Sequence, residues 1–97
     1  MRGEQKQEMI LDRFRKGQAT EEEEQILKKK IRTVMEQLIC QEDLETMEEM
    51  ETRGWFGRYE LESFIRYAGN RRRPLSLMWL LHLKNEKYGY KSEDFGL

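Results

Sequence analysis

The chain predicts an all-α fold, a small bundle of about four helices, and three observations lead there. Apolar residues recur at three- and four-residue spacings rather than alternating. Only one proline occurs, and no Val/Ile/Thr-rich alternating run marks a strand. Start and stop signals for helices sit at the edges of the periodic stretches. The 97 residues are expected to form one domain, residues 1–97, with 90–97 a polar tail that is ordered only in part. Charged residues reach 38%, a level that raises the question of disorder. The periodic apolar residues, with two Trp, four Tyr and four Phe, argue for a packed core instead.

Glu4 to Lys16 reads as the first helix. Met9, Ile10, Arg13 and Phe14 fall close together, Leu11 widens the apolar side, and Gly17 follows two bases as a C-terminal stop. Thr20-Glu21-Glu22-Glu23 is a capping box. The Thr20 hydroxyl can accept from the backbone of the third helical residue while Glu23 reaches back to the Thr20 amide. Leu27, Ile31, Val34 and Leu38 then carry a stripe down a long second helix. The stripe is lost near Gln41-Glu42-Asp43. No Pro or Gly forces a break, so a continuous or slightly bent helix is expected to about Glu51.

Arg53-Gly54-Trp55-Phe56-Gly57 reads as a turn anchored by its two aromatics. Leu61, Phe64, Ile65 and Ala68 give the third helix, Arg58 to Ala68, ended by Gly69. Pro74 suits the first turn of the fourth, where its missing donor costs nothing. From Leu75 to Lys87 apolar residues point to nearly every side, which predicts a central, buried C-terminal helix stopped by Gly89.

The net charge of −1 conceals a separation of charge. From Thr33 to Thr52 there is no Lys or Arg, but Glu36, Glu42, Asp43, Glu45, Glu48, Glu49 and Glu51 occur. Arg71-Arg72-Arg73 stands immediately before Pro74. Such separation suits contact with charged partners or with another copy of the chain.

Catalysis is disfavoured. The one histidine, His82, lies in the most apolar helix, and Cys40 is alone and far from any CxxC pattern. No phosphate-cradling loop, HExxH or EF-hand spacing occurs, and no Glu-x-x-His pairing accompanies the acidic run. No metal, no cofactor and no enzymatic activity are expected. A lone cysteine gives no disulfide framework, and the polar N-terminus shows no secretory signal, so a cytoplasmic setting is expected. The longest apolar run, Leu75 to Leu83, falls short of the ~20 residues that span a bilayer, and no membrane association is expected.

Two surfaces remain as candidates. The first is the acidic face: Glu42, Asp43, Glu45, Glu48 and Glu49, with Met47 and Met50 as adaptable apolar contacts. It would engage a basic protein surface or another protomer, and a rigid acidic helix can also imitate phosphate spacing and so inhibit a nucleic-acid-binding protein. The plainer alternative is that both methionines finish the core under Trp55 and Phe56. The second surface is Arg66, Arg71, Arg72 and Arg73. Cations at a helix N-terminus oppose its dipole, which suits an anionic neighbour: a protein carboxylate, or a nucleic-acid phosphate as the less favoured case. An ordinary solvated loop is the plain reading.

Overall fold

The computed structural model describes residues 2–88, and the tail at 90–97 and the stop at Gly89 lie outside them. The described residues are helical without a strand, in six α-helices rather than four: α1 Arg2–Arg15, α2 Glu21–Lys29, α3 Ile31–Gln41, α4 Leu44–Thr52, α5 Arg58–Asn70 and α6 Pro74–Leu83. A π-helical turn follows over Lys84–Tyr88. Their radius of gyration, 14.4 Å, exceeds the roughly 12–13 Å of a compact chain this long, so the body is elongated.

The expected long second helix is three helices. Thr20 forms its capping box: its hydroxyl accepts from the Glu23 amide at 3.1 Å, and Glu23 accepts from the Thr20 amide at 3.0 Å. The first break comes at Lys30 (φ −106°, ψ 31°), where its amide is shared between the Ile26 and Leu27 carbonyls. The bend lets the two halves face different neighbours. Leu27 is buried where α2 packs on α1, and Val34, Met35, Leu38 and Ile39 are buried where α3 packs on α5 and α4. The second break comes at Glu42, which takes the left-handed conformation (φ 55°).

Glu42 illustrates a device used four times among the described residues. In each case a residue one or two positions past the helix donates to the carbonyl three back, and the next residue donates to the carbonyl five back. The pairs are Gly17 to Phe14 with Gln18 to Arg13, Glu42 to Ile39 with Asp43 to Leu38, Gly54 to Glu51 with Trp55 to Met50, and Arg72 to Gly69 with Arg73 to Ala68. Each turn needs positive φ at its first residue, and the values are 72°, 55°, 75° and 56°. Glycine adopts that conformation freely; Glu42 and Arg72 adopt it against their Cβ. The third helix therefore does not end at Gly69. It runs through Gly69 and turns at Arg72.

One core runs through the body: Ile10, Leu11 and Phe14 from α1, Leu27, Val34, Met35, Leu38 and Ile39, Met47 and Met50 from α4, then Phe56, Leu61, Phe64, Ala68, Leu80 and Leu83. Phe56 meets Phe64 edge-on at 5.3 Å between centroids, and Trp55 tilts against Phe14 at 5.3 Å, so the turn aromatics anchor as expected. Helix α6 is the main departure. Its Ser76, Leu80 and Leu83 are buried, with α5 and α4 as its helical neighbours, yet Leu75, Met78 and Leu81 are exposed. It is an outer helix and not the central one. Among the described residues no helix is long and apolar enough to cross a membrane.

Two backbone substitutions test the helix ends. Gly69 lies within α5, and a Cβ there meets nothing within 4 Å. Gly69→Ala should stabilise by about 0.5–1 kcal/mol through helix propensity, and Arg72→Gly by about 0.5–1 kcal/mol through relief of the left-handed residue. Urea denaturation followed by circular dichroism checks both; destabilisation by Arg72→Gly would show that α5 ends elsewhere.

Candidate interaction surfaces

The acidic run is largely occupied within the chain. Glu42 reaches across to the start of α6. Its Oε2 accepts from the Leu75 amide at 2.8 Å and the Ser76 amide at 3.4 Å. With Pro74 first in the helix, these are the second and third amides, the ones an N-cap side chain normally satisfies. Arg73 occupies the N-cap position and offers no side-chain acceptor. Ser76 completes the link, its buried hydroxyl donating to the Ile39 carbonyl at 2.8 Å.

Asp43 N-caps α4, accepting from the Thr46 amide at 3.3 Å and the Thr46 hydroxyl at 2.7 Å, and it pairs with Arg15 at 2.7 Å. Partial burial pushes its carboxyl up. The Thr46 hydroxyl, the Arg15 guanidinium and the Thr46 amide outweigh that and hold it below the usual carboxylate range. Glu49 pairs with Arg53 at 2.9 Å, and Glu51 with Lys87 at 3.0 Å. Arg53 also reaches Glu24 at 2.8 Å and lies over the Phe14 ring at 4.9 Å, joining α2, α4 and α1. The hydrogen bond to Glu49 contributes most to holding its guanidinium in the charged form.

A surface cleft of about 380 Å³ opens between the end of α1 and α4, with Arg15 and Arg53 beside Asp43, Glu45 and Glu49. The acidic segment is thus a mixed-charge surface. Glu45 and Glu48 stand exposed outside the ion pairs found among the described residues. Met47 and Met50 are fully buried, so the core claims both and the surface has neither.

The arginine group lies at the other end of the same link. Arg71 closes α5, Arg72 is the left-handed residue, Arg73 precedes Pro74, and all three are exposed. Arg71 lies over the Tyr67 ring at 5.2 Å. The Tyr67 hydroxyl sits 3.6 Å from the Cys40 sulfur, and that contact, aided by burial, raises its pKa. Arg66 is exposed on α5. None of the four arginines enters an ion pair among the described residues. The anion expected at this helix N-terminus is Glu42, and it meets the amides rather than the guanidinium groups.

His82 is exposed, 3.4 Å from Glu86. Cys40 is a half-buried free thiol. Among the described residues no group of three or more His, Cys, Asp or Glu is placed to hold a metal ion. Sequence reasoning missed the exposed face of α6, because a helix that is apolar all round reads the same whether its outer side meets core or solvent. Comparison with protein-family models, curated proteins and solved structures finds no match to this chain.

The lowered pKa of Asp43 gives a pH dependence with a definite sign. Its folded value lies below its unfolded one, so its stabilisation is fully present above the unfolded value, about pH 4, and is lost as pH falls through the folded value. Asp43→Asn keeps a cap acceptor but removes the titration. Urea midpoints between pH 6 and pH 2.5 should fall less steeply in Asp43→Asn than in the parent, and parallel curves would refute the assignment.

Proposed function

We propose that the protein is a non-enzymatic interaction module whose docking face is the outer side of α6, with the arginines that precede the helix. The observation that carries this is a row of exposed apolar residues, Leu75, Met78 and Leu81, on a helix whose opposite side is firmly packed. The largest contiguous apolar patch on a small protein is often functional. The acidic segment contributes through Glu45 and Glu48 on the neighbouring α4. Inhibition by phosphate mimicry is the weaker form of the proposal, since Glu42, Asp43, Glu49 and Glu51 already hold partners within the chain. Regulation by occupancy, in which the module blocks or bridges another surface, needs no catalytic group. A cytoplasmic setting belongs to the same proposal and agrees with the free thiol of Cys40.

A nucleic-acid module is the second reading, favoured by the four exposed arginines outside any ion pair among the described residues. Affinity capture separates the two. The parent, Met78→Glu and an Arg71→Ala/Arg72→Ala/Arg73→Ala variant are compared with and without nuclease. The interaction reading predicts nuclease-resistant protein capture that Met78→Glu abolishes. Capture that nuclease removes and Met78→Glu leaves intact would replace it with the nucleic-acid reading.

A further inference from the structure

We propose that the outer face of α6 pairs with the same face of a second copy of this chain, the two helices antiparallel about Met78. This names the partner of the surface above and rests on that reading. Leu75, Met78 and Leu81 retain 54%, 66% and 40% of their exposure and follow one another at three-residue steps. They lie on the side away from Ser76, Leu80 and Leu83, which pack against the other described helices.

Charge selects the second copy as the occupant. At the amino end of the apolar row stand Arg71, Arg72 and Arg73, exposed and outside the ion pairs of the described residues. Beyond its carboxyl end stands the exposed carboxylate of Glu86, whose ion-pair neighbour is His82. The cations near that end are already placed, Lys84 against Glu62 at 2.7 Å and Lys87 against Glu51 at 3.0 Å. A surface that is positive at one end, apolar in the middle and negative at the other complements its own reversed copy. Pairing about Met78 sets Leu75 against Leu81 of the second copy and Met78 against Met78. It also sets the loop that carries Arg71 and Arg72 beside the end of the second copy's helix, where Glu86 stands. Such an isologous contact closes on itself and leaves no sticky end.

The size of the face fixes the strength. The row spans less than two turns, roughly 9 Å, and buries less than the ~800 Å² per partner of a standard stable interface. The expected dimer is therefore weak, with Kd on the order of 10–100 μM, and sensitive to salt through its end charges.

Sedimentation equilibrium on the purified full chain, from about 5 to 500 μM, should show mass rising toward the dimer at low salt. Met78→Glu should weaken it about tenfold or more, and because Met78 is exposed the variant should keep its helical circular dichroism. Arg72→Glu and Glu86→Arg should each weaken pairing, and the double variant should recover it. In a Cys40→Ser background, Met78→Cys should cross-link with itself on mild oxidation, whereas Leu75→Cys should cross-link with Leu81→Cys and not with itself. A monomer at every concentration, or Leu75→Cys cross-linking to itself as parallel helices require, overturns the proposal. A monomeric pure protein whose partner capture still depends on Met78 would overturn the second copy alone and leave the interaction reading standing.

Discussion

The carboxylate of Glu42 does from 33 residues away what an N-cap side chain does locally. To reach the Leu75 and Ser76 amides it must leave the end of α3, and the left-handed turn at Glu42 takes it there. That turn ends α3 and sets Asp43 in place to cap α4. It also brings α6 against the end of α3, where Ser76 satisfies the Ile39 carbonyl. The strain of a left-handed glutamate, on the order of 1 kcal/mol, is offset by two charge-assisted hydrogen bonds at a helix N-terminus. The direction of α4 follows as well. Glu42 meets the start of α6 and Glu51 meets Lys87 beyond its end, so α4 runs alongside α6 in the same sense.

The features legible in the sequence were those whose chemistry is local. Thr20 and Glu23 announce a helix start because both halves of the box lie within four residues. Gly17 and Gly54 announce turns because glycine takes positive φ at no steric cost. Glu42 and Arg72 make the same turn, but their residue types give no signal, and Glu42 is recruited by a helix far along the chain. The bend at Lys30 is hidden for a similar reason: it serves the separate packing of α2 on α1 and of α3 on α5. The buried places of Met47 and Met50 were one of two readings left open, since their spacing suits a core or a surface ridge equally.

The distribution of charge gains a different meaning once the helices are in place. What reads as an acidic ridge in sequence is interleaved with Arg15 and Arg53, which come from α1 and from the turn after α4. Three of its seven carboxylates, Glu42, Asp43 and Glu51, fasten one helix to another. Among the described residues the arginines before α6 have no such carboxylate in an ion pair, and Leu75 and Met78, which follow them, are less than half covered. Charge that remains outward-facing lies beside exposed Leu75 and Met78, and the proposed docking face rests on that juxtaposition.

Amide hydrogen exchange at α6 tests the link from Glu42 most directly. In the parent, the Leu75 and Ser76 amides should be protected. In Glu42→Ala their exchange should quicken by about tenfold, the worth of one lost cap, while amides in the middle of α5 around Phe64 stay protected. Unchanged protection at Leu75 and Ser76 would contradict the account, because the helix start would then not depend on the carboxylate that reaches it across the fold.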